Sequence, residues 1–412
     1  MESEHDQRSR PHEARHDLSG LSGDARLPGL VNVHSHTFQR VIRGRTEHRT
    51  SARDNFWTWR EAMYHAANKL SADDIYDVAR MAFLEMALSG ITHVGEFHYL
   101  HHQPDGEPYD DPNLLARQII RAGESVGIRV TLLLCAYARA GFNKAPHRGQ
   151  ARFITPTPEL FLERFEALGA ANAAIAPHSI RALPLDYIAE LVRYAESRKL
   201  PVHMHVSEQP GELEECRDEH GTTPVALLAK HNLLSERFTA IHAIHISDEE
   251  VQALAYSGAS VCACPTSERN LGDGVVPADR LMRADVPICF GTDSQIQIDL
   301  LEDARELEYH LRLQRLERVV LADNLAKPLL DAATVNGRNS LGSANETEYF
   351  TVDSRDPSIA GAPNESSAVF SLERTAIRDV FVDGKQIVRD GKHPLQEEIV
   401  GRFVEVQERL WR

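Results

Sequence analysis

The 412-residue chain has no apolar run approaching the roughly 20 residues that a helix needs to cross a bilayer, so no transmembrane helix is expected. It is short of positive charge. Its 45 Lys and Arg stand against 61 Asp and Glu, a formal net charge of -16, which argues against nucleic acid because phosphate backbones require a basic surface. A small anionic ligand answers to local charge and is not excluded. Cysteine is scarce: five residues with no CxxC pair make no disulfide framework and fit a reducing compartment. Cys262 and Cys264 alternate along an apparent strand and read as core thiols. The first 26 residues lack the apolar core of a secretory signal, which gives a cytoplasmic expectation. They are polar, charged and without periodicity, and are expected to be disordered.

Histidine, by contrast, is plentiful, with 21 residues. The stretch PGLVNVHSHTFQR, residues 28–40, puts a short apolar run ahead of His34 and His36. Residues i and i+2 of a strand point the same way, so both imidazoles can converge on one point. An HxH alone is weak evidence, and the case depends on further ligands downstream.

Downstream, strands and helices alternate. Apolar strand-like runs at 30–33, 92–95, 129–135, 173–176, 202–206, 238–241, 260–263 and 286–290 are separated by helical periodicity, for example Ile75, Val78, Ala79, Ala82, Phe83 and Met86 between the Ser71 cap and Gly90. Eight such pairs predict an α/β fold, a (β/α)8 TIM barrel. His34, His36, Glu96, His178, His205, His242 and Asp293 all fall at or just beyond C-terminal strand ends, the catalytic face of such a barrel. The arginine-rich segment 43–60, with Phe56, Trp57 and Trp59, reads either as a loop with aromatic plugs or as a pocket wall. Short strands are expected at 368–372 and 380–390, the latter with an Asp383-Gly384 hairpin turn. The expected division is a polar N-terminus at 1–26, a metal-dependent hydrolase barrel at 27–340 and a C-terminal β accessory segment and tail at 341–412.

A catalytic Zn²⁺ takes about three protein ligands and keeps a position open for water, whose pKa it lowers to about 7. His34, His36, His205 and Asp293 would meet that requirement from strands one, five and eight. His205 is favoured over His203 because it lies nearer the strand's end. Proton transfer to a leaving group needs a further residue, and either Glu208 or His242 could serve.

PGLVNVHSH, PVHMHVSE, IHAIH and GTDS resemble the amidohydrolase superfamily, in particular its mononuclear zinc deaminases and deiminases. No lysine ends the fourth strand, where binuclear members carry a bridging carbamate, so one zinc per chain is expected. HSHTFQR, DNFWTWREAMY, GEFHYLHH, PHSIR, HVSEQ and CPTSERNLGDG are most similar to the formimidoylglutamate deiminases of histidine degradation. That resemblance implies zinc on His34, His36, His205 and Asp293, a proton shuttle at Glu208, and His242 polarising the formimidoyl group. It also implies Gln39, Arg60, Tyr99, His178 and Arg181 as partners of a dicarboxylate substrate, and a homodimer as the assembly. The implied reaction is hydrolysis of N-formimidoyl-L-glutamate to N-formyl-L-glutamate and ammonia.

Two departures stand out. The β-rich segment that usually precedes HxH is short, so the small β-sandwich accessory unit reads as incomplete. Gln295 stands where these relatives carry histidine two residues after the aspartate, which bears on substrate preference. The competing readings are a deaminase of a purine, pterin or triazine ring, and a barrel that binds a metabolite without turning it over.

Overall fold

The computed structural model describes residues 24–48, 56–344, 347–361 and 364–412. Eight parallel strands follow one another around the sheet in chain order: β2 (Leu30–Ser35), β3 (Ile91–His98), β4 (Arg129–Ala136), β5 (Ala173–Pro177), β6 (Val202–Val206), β7 (Phe238–His242), β8 (Ser260–Ala263) and β9 (Ile288–Phe290). The last meets the first through Asp293, whose amide donates to the His34 carbonyl while its own carbonyl accepts from the His36 amide, both at 3.0 Å. The expected (β/α)8 barrel is therefore present, and its closing seam runs through three of the candidate ligands, His34, His36 and Asp293. The final strand starts at Ile288, later than residue 286, because Pro287 has no N–H for the ladder.

Local chemistry sets the helix ends. Ser71 and Asp74 form a reciprocal capping box at the head of helix Ala72–Leu88, and Gly127, in the left-handed region at φ 83°, closes helix Leu114–Val126. The segment 43–60 is more regular than a loop: a 3-10 turn, Thr37–Ile42, precedes it, and helix Phe56–Ala67 begins inside it, while residues 49–55 lie outside those described. Helix Pro210–His220, which sequence periodicity did not reveal, follows β6.

The accessory unit is one antiparallel sheet, not a two-sheet sandwich among the described residues. Its strands are β1 (Asp24–Pro28), β10 (Tyr349–Asp353), β11 (Ile377–Val382) and β12 (Lys385–Val388). The expectation of a disordered 1–26 segment fails at its end, since Asp24 to Arg26 pair in register with Asp353 to Thr351; residues 1–23 lie outside those described. Five residues of alternation, with only Ala25 and Leu27 turned into the core, are too few to read as a strand. The hairpin at Asp383-Gly384 is present, with both residues at positive φ (49° and 74°). The strand expected at 368–372 is instead helix Glu365–Phe370, because Asn364 and Ser367 form a capping box that starts a helical turn. Helix Gln396–Leu410 ends the chain and packs on helix Ala72–Leu88. No helix among the described residues is long and apolar enough to cross a membrane.

Candidate active site

Glu96, at the end of β3, organises the HxH segment. Its buried carboxylate accepts from Ser35 Oγ at 2.7 Å, from the Thr37 amide at 2.8 Å and from Thr37 Oγ1 at 2.7 Å, so it holds the residues on either side of His36. Burial lifts its pKa to about 7 against those hydrogen bonds. Gly291 serves the other strand of the seam. A Cβ there would stand 2.7 Å from that of His34, so only glycine lets β9 pass close enough to carry Asp293 to the histidines.

The expected ligands converge. His34 Nε2 lies 3.1 Å from Asp293 Oδ1 and 3.2 Å from His205 Nε2, and His36 Nε2 lies 3.4 Å from the same carboxylate oxygen. Two tautomers are fixed from behind. His36 Nδ1 donates to the Phe97 carbonyl at 2.9 Å, and His205 Nδ1 donates to the His178 carbonyl at 3.0 Å, so each turns an Nε2 lone pair to the common point. Burial holds His34 near pKa 3, with His36 and His205 also below the ordinary value, so all three are neutral at pH 7. Burial opposes the charge on Asp293, but the surrounding imidazoles hold its carboxyl below the usual range; its Oδ2 accepts from Ser267 Oγ at 2.7 Å. Facing nitrogen lone pairs beside a carboxylate fit a divalent cation better than they fit one another. Ligand atoms of His34, His205, His242 and Asp293 all lie within 4.8 Å of one another.

Glu208 and His242 face the same space. Glu208 Oε2 accepts from Arg181 Nη2 at 3.1 Å, and its Oε1 lies 4.0 Å from His242 Nε2. His242 sits at φ 73°, in the left-handed region that histidine enters only at a cost. Burial works against its imidazolium, but hydrogen bonding with Cys264 and Glu268 and the nearby Glu208 charge hold its pKa well above the ordinary value. The cleft over these groups is lined by Gln39, Arg60, Tyr99, His178 and Arg181, the whole expected substrate set. Gln39 Nε2 donates to Tyr99 Oη at 3.0 Å, His178 Nδ1 pairs with Ser179 Oγ at 3.0 Å, and Arg181 Nη1 is buried without a hydrogen-bond partner.

Gln295 is the exception. It does not line the cleft; its Nε2 donates to Ser35 Oγ at 2.7 Å and to the Asp293 carbonyl at 3.1 Å, and its Oε1 accepts from Thr292 Oγ1 at 3.0 Å. It braces the seam behind Asp293 rather than meeting a substrate. His203, two residues before His205, bonds to the Ser340 carbonyl at 3.0 Å, away from the convergence.

The amidohydrolase family profile matches residues 26–387. The chain belongs to the amidohydrolase family. It is 36% identical over 415 aligned positions to the formimidoylglutamate deiminase of Pseudomonas aeruginosa, an alignment covering 96% of this chain and 91% of that protein. Against the 5-methylthioadenosine/S-adenosylhomocysteine deaminase of Pyrococcus furiosus it is 26% identical, covering 93% and 88%. The crystal structure of an amidohydrolase from Brucella melitensis superposes with a TM-score of 0.88 at 34% identity, covering 94% of this chain and 90% of that one.

In this amidohydrolase, sequence reasoning missed Tyr64, Tyr137, Phe153 and Leu271, which also line the cleft, and Ser267, Glu268 and Asp273 behind it. Burial and the Glu208 charge push Asp273 up to about pKa 9. The last three lie within CPTSERNLGDG, a stretch quoted for its resemblance but never resolved into single residues.

Proposed function

We propose that the chain is a zinc-dependent formimidoylglutamate deiminase acting in histidine degradation in the cytoplasm. The observation that carries the reading is the cleft itself: a neutral-imidazole and carboxylate cluster at its floor, with Arg181 and Arg60 on its walls. The 36% identity to a protein of that name supports the substrate, and the ring-deaminase reading is weaker because the ring-acting relative shares only 26%. Guanidinium groups are the natural partners of a substrate's two carboxylates.

His34, His36, His205 and Asp293 would hold one zinc, which supplies a Lewis acid able to bring the pKa of water to about 7. The chain's own residues do the rest. Glu208, held at Oε2 by Arg181, turns Oε1 toward His242 and the reacting centre, where it takes a proton from water and delivers it to the departing nitrogen. His242 polarises the C=N group from the facing wall. Asp293, held at Oδ2 by Ser267, takes the second proton of the water and returns it to the same nitrogen, so that the imine nitrogen leaves as ammonia. A C–O bond forms, a C–N bond breaks, and water and the formimidoyl compound become the formyl compound and ammonia. The assembly inferred with this reading is a homodimer.

The decisive assay is ammonia release from N-formimidoyl-L-glutamate by purified protein, with zinc quantified and a chelated control. Release that scales with about one zinc per chain is expected. Arg181→Met should raise KM or abolish turnover by about 100-fold or more, the scale of a lost charge-assisted contact. Unchanged kinetics in that variant, or activity that survives chelation in zinc-free protein, would overturn the reading.

A further inference from the structure

Glu268 is one of the least exposed acidic residues in the molecule, and none of the roles assigned above uses it. It stands at the fourth position of helix Pro265–Leu271, whose N-cap is Cys264. Its Oε1 accepts from the Cys264 amide at 2.9 Å and meets His242 Nδ1 at 3.1 Å. The first contact satisfies an amide at the helix start that has no partner within the helix, an ordinary way to end a helix. The second is not required for a cap, and it reaches across from one strand end to the next.

We propose that Glu268 is the positioning residue for His242. By accepting the Nδ1 proton it holds that proton on the side away from the cleft and aims Nε2 at Glu208 and the reacting centre. Two further features agree. His242 is followed by Ala243, and both are at positive φ, 73° and 48°, so the backbone that presents the ring is strained and needs an anchor. The ring also cannot be aimed by solvent, since His242 and Glu268 are each about 1% exposed. The anchor oxygen is specified too: two N–H groups converge on Oε1, so an amide at this position would be obliged to turn its oxygen, not its NH2, toward His242.

That asymmetry makes the test sharp. Glu268→Gln should keep both hydrogen bonds and retain most of the kcat, whereas Glu268→Ala should lower kcat by about 10- to 100-fold, the range seen when an orienting partner of an active-site histidine is removed. KM should be nearly unchanged in both, because neither side chain lines the cleft. The proposal rests on the deiminase reading for its kinetic arm, so a second arm is independent of substrate. Long-range ¹H–¹⁵N correlation spectra of histidine-labelled protein, with His242 assigned by its loss in His242→Asn, should show the proton on Nδ1 in wild type and in Glu268→Gln. In Glu268→Ala that signature should be lost while zinc content and the signals of the other histidines persist. A wild-type His242 signature in Glu268→Ala would overturn the proposal, as would equal kcat losses in the Gln and Ala variants. If instead the wild type fails to turn over formimidoylglutamate but the Nδ1–H signature follows Glu268, the substrate reading falls and the positioning role stands.

Discussion

Strand β6 carries two histidines two residues apart, and they end in opposite circumstances. His203 and His205 point into the same barrel, both are buried, and burial depresses the pKa of both, His203 to about 4 and His205 well below the ordinary value. His203 gives Nε2 to the Ser340 carbonyl. His205 gives Nδ1 to the His178 carbonyl and turns Nε2 toward His34. A perturbed pKa therefore does not separate a structural histidine from a proposed ligand, although perturbation is what functional residues commonly show. The direction of the unpaired nitrogen separates them.

The largest effect should come from breaking that contrast at its ligand side. His205→Asn should lose bound metal and at least ~10³-fold in kcat, the loss expected when a main electrostatic contributor is removed. His203→Asn should keep metal and kcat and instead lose about 1–3 kcal/mol of stability, because the Ser340 carbonyl is left without its buried donor. Metal analysis and chemical denaturation on the same preparations check both; equal metal loss in the two variants would erase the distinction.

The same contrast explains what was legible in the sequence. Strand alternation and strand-end position were enough to find the barrel, because a period of two and a fixed catalytic face leave little freedom, and they also place His205 nearer that face than His203. The accessory sheet was harder to read. β1 is recognisable only once β10, over 320 residues later, is known to pair with it, and helix Glu365–Phe370 was mistaken for a strand because five apolar-leaning residues carry no period of their own. Glu268 and Gln295 were missed or misread for a related reason. Their roles lie in which atom of a distant residue they reach, and no spacing in one sequence encodes that.

A smaller effect should appear in the pH dependence of stability. His203 is held near pKa 4 in the folded chain and returns to about 6.5 when unfolded, so between those values the unfolded chain binds the extra proton. Its neutral burial is fully favourable above about pH 6.5 and is progressively lost as pH falls toward 4, with a slope of about 1.4 kcal/mol per pH unit. His93, near pKa 3 and bonded through Nε2 to Thr131 Oγ1 at 2.8 Å, adds a slope of the same sign. His203→Gln should flatten the measured stability curve between pH 4 and 6.5 by one proton's worth. A slope equal to that of wild type would mean that His203 is protonated inside the barrel.

The smallest functional effect should come from Gln295, which carries the contrast to the opposite end of the seam. It sits near a proposed ligand in sequence, yet all three of its side-chain hydrogen bonds, to Ser35, to Thr292 and to the Asp293 carbonyl, point into the protein. Gln295→Met keeps the volume and removes the bonds, leaving two buried hydroxyls short of a partner at a cost of about 1–3 kcal/mol. KM for formimidoylglutamate should stay within about 2-fold, because nothing that lines the cleft has moved, while the melting temperature falls. A KM change much larger than the stability change would show that the brace behind Asp293 also sets the shape of the cleft, and would return Gln295 to the residues that choose the substrate.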